Sequence, residues 1–236
     1  MPTVYRVFCR RLPATLNLAV ATAILIALTW QVADQLSVGV FAASHHFAYF
    51  TIQTSLLNVV VLSFAAWQAA TRARDTLALT VARSYAVTYA IITALVFNVL
   101  VRAEPEPGSY ISPVLADEML HTVAPAYLLL DWLLDRTRPK LGWVAAAAAT
   151  FFPVAWVSAT LWREGVDGWV PYPFLDPANG VAVVAIYVAV LTTIVWLIAL
   201  GLTAYNRRYA RAAVAAAEPD HLRWAPPAAT RELVDA

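Results

Sequence analysis

Six runs of about 20 mostly apolar residues occupy most of this chain, and they constrain its fold more than any other feature. Hydrocarbon offers the backbone no hydrogen-bond partners, so a chain that crosses a bilayer must pair its own N–H and C=O groups, and runs of this length do so as helices. The composition agrees, because only 13% of the residues are charged, whereas soluble domains carry about 25%. The sequence therefore predicts an all-α fold, a polytopic membrane protein built as a six-transmembrane-helix bundle. The predicted spans cover residues 12–33, 47–70, 80–101, 116–134, 141–162 and 179–203.

The two ends of the chain have different compositions. Three arginines precede the first apolar run, as in a secretory signal, but the run from Leu12 to Ala33 is longer than the roughly 7 to 15 apolar residues of a signal peptide. We therefore expect a retained first span. Residues 210–236 are rich in alanine and proline with mixed charge, which predicts a disordered cytoplasmic tail. Residues 1–209 are predicted to form a single transmembrane bundle.

The basic residues predict the orientation of the bundle. Of 16 lysines and arginines, only Arg102 and Arg163 fall on one side of the six spans, which leaves 14 on the other side. Because basic loops stay in the cytoplasm, both termini are predicted to be cytoplasmic, with loops one, three and five outside. The many arginines and single lysine are typical of a GC-rich bacterial genome, so we expect the bacterial cytoplasmic (inner) membrane. A net charge of +1 gives no sign of a nucleic-acid partner.

Two polar side chains lie just inside the predicted outer boundary. Thr51 lies about one turn into the second span, and His121 lies roughly 7 Å into the fourth, at about 1.5 Å per residue. Both helices run inward, and helical side chains lean toward the helix N-terminus, which here is the outer surface. A threonine in a membrane helix usually bonds its own backbone, whereas a histidine there suggests function or a polar partner. The pattern predicts a shared cavity open to the outside.

A threonine hydroxyl becomes a nucleophile when a base takes its proton, and neutral histidine, with a pKa of about 6.5, suits that role. Helices packed about 8 to 10 Å apart can bring two such groups within roughly 3 Å. We therefore predict acyl transfer through a threonyl ester, with Thr51 as nucleophile and His121 as base. Besides a backbone amide, the candidates for binding the oxyanion or for polar support are Ser55, Asn58, Asn98 and Arg102. The candidates for orienting the imidazole are Asp117 and Glu118.

Other polar groups receive structural interpretations. Asp131, near the cytoplasmic end of the fourth span, is predicted to pair with a nearby basic residue. His45 and His46 are adjacent in an outer loop, but no carboxylate or cysteine stands at a ligand spacing, so no metal site is predicted. The single cysteine, Cys9, allows no internal disulfide. His121 has no obvious second axial histidine for haem, and no cofactor is expected.

Three stretches carry a resemblance to a known family. These are "YFTIQTSLLN" on the second helix, "LHTVAPAYLLLD" on the fourth helix and "GWVPYPFLDP" in the last outer loop. In these three stretches the chain resembles the androgen-induced gene family, which includes the androgen-dependent TFPI-regulating proteins. The resemblance implies a transmembrane threonine hydrolase of lipid esters, in particular fatty acid esters of hydroxy fatty acids. It assigns Thr51 in "YFT" as nucleophile and His121 in "LHTVAP" as base. The acids at 117 and 118 and the polar residues after Thr51 depart from the family pattern.

The resemblance also implies that the last outer loop closes over the outer end of the bundle. Its aromatic side chains would contact the substrate or anchor the loop at the membrane interface. These side chains are Trp169, Tyr172 and Phe174.

A second function fits the same residues. A non-catalytic membrane carrier, or a membrane protein that binds lipid or small solutes, would use the polar stripe of the second helix as a recognition surface. His121 would then be a proton-coupled or structural group. On the hydrolase interpretation, the expected partners are the lipid bilayer and a membrane lipid or acyl-ester substrate.

Overall fold

The computed structural model describes the backbone of residues 2–71, 75–102, 110–135 and 138–217 and, within those ranges, the side chains of residues 13–209. All regular secondary structure in these ranges is helical. In chain order the α-helices are α1 (Pro2–Ser37), α2 (Ala43–His46), α3 (Phe50–Thr71), α4 (Leu77–Val96), α5 (Val114–Glu118), α6 (Ala124–Leu134), α7 (Trp143–Ala148), α8 (Phe151–Asp167) and α9 (Val181–Ala217).

Four short helical turns complete the chain path. The π-helical turn Phe97–Val101 continues α4, and a second π-helical turn, Met119–Val123, joins α5 to α6. Two 3₁₀ turns, Pro173–Leu175 and Pro177–Asn179, shape the connection between α8 and α9. The all-α prediction is therefore confirmed for the described residues.

Five helical stretches are long enough and apolar enough to cross a membrane, as expected of a helical membrane protein. They are Pro13–Ser37, Phe50–Thr71, Leu77–Val101, Trp143–Asp167 and Val181–Tyr209.

The predicted span 116–134 lies on the sixth stretch, which is helical without a break from Val114 to Leu134. At about 1.5 Å per residue it extends roughly 30 Å, enough to cross a bilayer. It carries three carboxylates, on Asp117, Glu118 and Asp131, which set it apart from the other five. Five helices are therefore long and apolar enough to span a membrane, and a sixth crossing stays a prediction.

The helices extend beyond the predicted spans. The first begins at Pro2 rather than at residue 12, and the last continues to Ala217, so the first residues of the predicted tail are helical. The remainder of that tail, 218–236, lies outside the described residues. The predicted span 141–162 is interrupted at Ala149 and Thr150 and then extends to Asp167.

Helix α4 is the centre of the bundle. It packs against α3, α6 and α9, while α1 packs along α3 and α9 packs along α7. Two of its contact residues, Ala86 and Ala90, are fully buried, and such small side chains let helix backbones approach closely in lipid. Its start is fixed by Thr76, whose hydroxyl accepts from Leu79 N at 3.2 Å, and by Gln68, which bonds both the backbone and the hydroxyl of Thr76.

A proline accounts for one bond that crosses the bundle. Pro153, in the first turn of α8, has no N–H, so it cannot donate to the carbonyl of Ala149 four residues earlier. The phenol of Tyr89, on α4, donates to that carbonyl at 2.8 Å instead. A backbone group freed by proline thus ties α4 to the break between α7 and α8.

A buried charge cluster holds the end of the bundle where α3 stops and α4 starts, which we call the arginine end. Arg83 donates to Asp131 at 2.6 Å, and Arg138 donates to the same carboxylate oxygen at 2.8 Å. Both arginines are almost fully buried. Asp75 lies 3.2 Å from Arg83 on the other side. The predicted pairing of Asp131 with a basic residue is confirmed. The cluster joins α4 and α6 to the loop between α3 and α4, which carries Asp75, and to the loop between α6 and α7, which carries Arg138.

We expect Asp131→Asn to lower the free energy of unfolding by about 3–5 kcal/mol, because it leaves two buried guanidinium groups without their shared carboxylate. Thermal unfolding of the purified protein in detergent measures the change. Asp167→Asn is the matched control, since Asp167 pairs with Arg163 one turn away in an exposed position and surface pairs contribute little. Equal shifts in the two variants would contradict a structural role for the cluster.

Candidate active site

Thr51 and His121 meet at the opposite end of the bundle, which we call the site end. It consists of α2, the start of α3, the start of α5 and the loop of residues 168–180. Thr51 lies in the first turn of α3, and His121 lies in the π-helical turn between α5 and α6. Thr51 Oγ1 is 3.3 Å from His121 Nε2. Their exposed fractions are only 9% and 6%, so the contact is shielded from solvent.

The second ring nitrogen fixes the tautomer of His121. Nδ1 lies 2.9 Å from the backbone carbonyl oxygen of Asp117. A carbonyl can only accept, so Nδ1 carries the hydrogen of the neutral ring and Nε2 carries the lone pair. The lone pair therefore faces the hydroxyl of Thr51, which is the arrangement that a general base requires.

The local helix geometry of His121 follows from a proline. Pro125 has no N–H to donate to the carbonyl of His121, and its ring crowds that carbonyl. The preceding turn, Met119–Val123, widens to π-helical geometry, a form found often at functional sites. Asn98 Nδ2 donates to the His121 carbonyl at 3.4 Å and to the Ala94 carbonyl at 2.8 Å. Asn98, predicted as an oxyanion or support group, thus contacts the backbone of His121 and not Thr51.

The imidazole is also held by an aromatic ring. Phe97 stacks on His121 with ring centroids 3.7 Å apart and planes 11° apart. Arg102 lies 5.2 Å from the centre of the same phenyl ring and pairs with Glu118 at 2.7 Å. Glu118 also accepts from the hydroxyl of Thr122 at 2.8 Å. Arg102 and Glu118 therefore form an ion pair with each other near the site. Arg102 does not take its predicted role in binding an oxyanion, and Glu118 does not take its predicted role in orienting the imidazole.

Asp117 orients His121 through its backbone, not through its acid. Its carboxylate accepts from Gln31 Nε2 at 3.0 Å, and the same amide nitrogen donates to Ser112 at 2.8 Å. These bonds tie the start of α5 to α1. They keep the Asp117 carbonyl in line with the imidazole.

Ser55 and Asn58 lie farther along α3, about 6 Å and 10 Å from Thr51 at the helical rise, on the same face. Both are buried, and the amide oxygen of Asn58 has no hydrogen-bond partner among the described residues. Among those residues, the hydroxyl of Thr51 bonds His121 and Tyr172 but not Ser55. The two residues form a polar stripe that continues inward from the pair.

The loop of residues 168–180 covers the pair. Tyr172 OH is 3.5 Å from Thr51 Oγ1, and its ring stacks on Phe174 at 5.3 Å. Trp169 stacks on His45, in α2, with centroids 4.2 Å apart and planes 3° apart. The predicted outer-loop aromatics thus divide between two positions, with Tyr172 at the Thr51 hydroxyl and Trp169 at the rim.

Arg163 and Gly168 hold the start of this loop. Gly168, at φ +71°, ends α8 in the left-handed conformation that favours glycine. Arg163 lies 4.6 Å from the Trp169 ring centre and donates to the carbonyl of Ser44 at 2.6 Å. Arg163 therefore connects the start of the loop, at Trp169, to α2, at Ser44.

The sequence did not predict the contact of Tyr172 with Thr51 or the stacking of Phe97 on His121. Tyr172 gave one usable signal, since it lies among prolines in a loop expected to cover the site. The position of Pro125 four residues after His121 was a second signal, because it predicts a distorted helix there.

Comparison of the chain with protein-family models, curated proteins and solved structures found no match to any of them. The resemblance to the androgen-induced gene family thus depends on the three sequence stretches alone.

We expect ¹⁵N NMR of histidine-labelled protein in lipid to give a neutral His121 with the proton on Nδ1, because Asp117 offers that nitrogen only an acceptor. His121→Gln assigns the signal by its loss. A ring protonated on Nε2 would contradict this hydrogen-bond direction, since that nitrogen could not take the proton of Thr51.

Proposed function

We propose that this chain is an integral membrane hydrolase of lipid esters, with Thr51 as the nucleophile and His121 as the base. The observation that carries the proposal is the shielded 3.3 Å contact between Thr51 Oγ1 and the lone pair of His121 Nε2. A nucleophile, a base and a third group that orients the base are the three parts of an acyl-transfer site. Here the third group is the carbonyl of Asp117.

In the first half-reaction, Thr51 Oγ1 bonds to the ester carbonyl carbon while His121 Nε2 takes the hydroxyl proton. The tetrahedral intermediate then expels the alcohol, which takes the proton back from His121. The products are a free alcohol and a threonyl ester. Asn98 and Phe97 hold the imidazole while its charge changes, the first through the His121 backbone and the second through the ring face.

In the second half-reaction, a water molecule attacks the threonyl ester and gives one proton to His121. Collapse of this intermediate releases the carboxylic acid and returns the proton to Thr51. Water is consumed once in each cycle, and no other co-reactant is needed.

An ester within the bilayer suits the surroundings of the pair. The outer surfaces of the spanning helices are apolar, with many exposed valine, leucine and tryptophan side chains, so lipid chains contact the bundle directly. The three family-like stretches suggest fatty acid esters of hydroxy fatty acids as the substrate. The excess of basic residues at the arginine end suggests that it is cytoplasmic in a bacterial inner membrane, with the site end outside.

A carrier or binding function for lipid or small solutes is the second candidate. The observation that favours it is the buried polar stripe of Ser55 and Asn58, whose amide oxygen has no partner among the described residues. On this alternative the stripe would bind a polar headgroup, and reconstituted vesicles would show pH-dependent uptake without hydrolysis.

We expect a fluorophosphonate probe to label the purified protein on Thr51, because the probe reacts with hydroxyls activated by a base. Thr51→Ala should abolish labelling, and His121→Ala should slow it by about 100- to 10,000-fold, the usual contribution of a general base. Tandem mass spectrometry of proteolytic peptides locates the adduct, and hydrolysis of a palmitoyl ester of hydroxystearic acid gives the matching activity.

Thr54→Ala is the matched control. Thr54 is also buried in α3, but its hydroxyl donates to the carbonyl of Phe50 in its own helix at 2.9 Å. This variant should label as the unmodified protein does. Labelling that survives Thr51→Ala would remove the assignment of the nucleophile.

A further inference from the structure

The phenol of Tyr172 is the only described side-chain group besides His121 within hydrogen-bond distance of the Thr51 hydroxyl. Its ring is fixed on several sides within the site end. Tyr49 meets it edge-on at 5.6 Å, Phe174 stacks on it at 5.3 Å, and Trp156 lies at 5.9 Å. The phenol oxygen is therefore aimed at Thr51 by packing.

The direction of the hydrogen bonds follows from the tautomer of His121. Since Nε2 has no hydrogen, Thr51 donates its own hydrogen to that nitrogen. The lone pairs of Thr51 Oγ1 are then left to accept, and the O–H of Tyr172 is the donor that points to them. The bonds run in one direction, from Tyr172 through Thr51 and His121 to the carbonyl of Asp117.

The phenol keeps its proton near neutral pH. Burial raises the pKa of Tyr172 to about 12, so the group is a hydrogen-bond donor and not an acid in the reaction. Two of the other predicted donors are occupied, because Asn98 donates to two backbone carbonyls and Arg102 pairs with Glu118.

We propose that Tyr172 is a catalytic hydrogen-bond donor that stabilises the oxyanion of the tetrahedral intermediate. This inference rests on the proposed hydrolase function. When Thr51 Oγ1 bonds to the carbonyl carbon, the former carbonyl oxygen becomes negatively charged and lies beside Oγ1, within reach of the phenol. The Tyr172 hydrogen turns from Oγ1 to this oxygen and stays on the phenol throughout. The proton that moves is that of Thr51, which passes to His121 and then to the leaving alcohol.

The loop of residues 168–180 thereby has a role in the reaction in addition to covering the pair. A donor that is aligned before reaction is most effective on charge that develops in the transition state. Its removal should therefore lower kcat more than it changes KM.

The test is Tyr172→Phe, which keeps the ring and removes only the hydroxyl. We expect kcat for hydrolysis of 4-nitrophenyl octanoate in mixed micelles to fall by about 100- to 1,000-fold with KM nearly unchanged, the usual result of deleting one oxyanion donor. Tyr187→Phe is the matched control, because Tyr187 packs on Phe174 at 5.5 Å in the same aromatic group, away from Thr51. It should hydrolyse the ester at the unmodified rate.

The outcomes separate the two proposals. If the unmodified protein hydrolyses the ester through Thr51 and Tyr172→Phe keeps its kcat, the role of Tyr172 is wrong while the hydrolase function stands. If the unmodified protein neither hydrolyses the ester nor reacts with the fluorophosphonate probe, the hydrolase function fails and the role of Tyr172 fails with it.

A second replacement covers the case in which Tyr172→Phe lowers the thermal midpoint in detergent. Site-specific 3-fluorotyrosine at position 172 keeps the ring and the hydroxyl but makes the phenol a stronger donor. A changed kcat at an unchanged KM supports the proposal, and an unchanged kcat overturns it.

Discussion

The hydrocarbon core of a bilayer contains no water, so every backbone N–H and C=O group there must find its hydrogen-bond partner within the protein. This constraint governs how the bundle is built. Two of the prolines inside helical segments break the rule locally, since Pro125 and Pro153 each lack the N–H that the carbonyl four residues earlier would use. Each carbonyl receives a donor from α4 or its π-helical extension, Asn98 for His121 and Tyr89 for Ala149. The central helix is thus joined to two neighbours at the points where their own helical bonding is interrupted.

The same constraint shapes the candidate site. An imidazole can lie within a membrane helix only if both ring nitrogens have partners, and here they have Asp117 and Thr51. The partner on the Nδ1 side is a backbone carbonyl, which cannot take a proton away at neutral pH. Phe97 covers one ring face. A polar pair is therefore kept in a defined protonation pattern by groups that are mostly neutral.

The sequence was enough to predict most of the helical architecture and the meeting of Thr51 with His121. Runs of about 20 apolar residues have one main solution in a bilayer, and the two residues lie at similar depth near the starts of helices that run in the same direction. The predicted sixth span, 116–134, is less apolar because three carboxylates lie on it, and hydropathy alone does not separate such a helix from one that stays at the interface.

Other details depended on contacts that sequence spacing does not encode. Asp117 and Glu118 were both candidates for orienting His121 through their carboxylates. The helical turn instead brings the backbone carbonyl of Asp117 to His121 Nδ1, and Glu118 forms an ion pair with Arg102. The approach of Tyr172 to Thr51 depends on two 3₁₀ turns and on ring packing between distant segments. Such loop geometry follows from tertiary contacts and not from local preference.

The rings at the site end form a continuous series of contacts between two separate loops. His45 stacks on Trp169, Trp169 meets Tyr49 edge-on at 5.9 Å, and Tyr49 meets Tyr172 at 5.6 Å. The orientation of the Tyr172 phenol consequently depends on ring packing at four positions, which span more than half of the chain. These positions are 45, 49, 169 and 172. A substitution at one of these positions changes the packing of the ring that it contacts. We therefore expect the residues at the four positions to covary among homologous sequences.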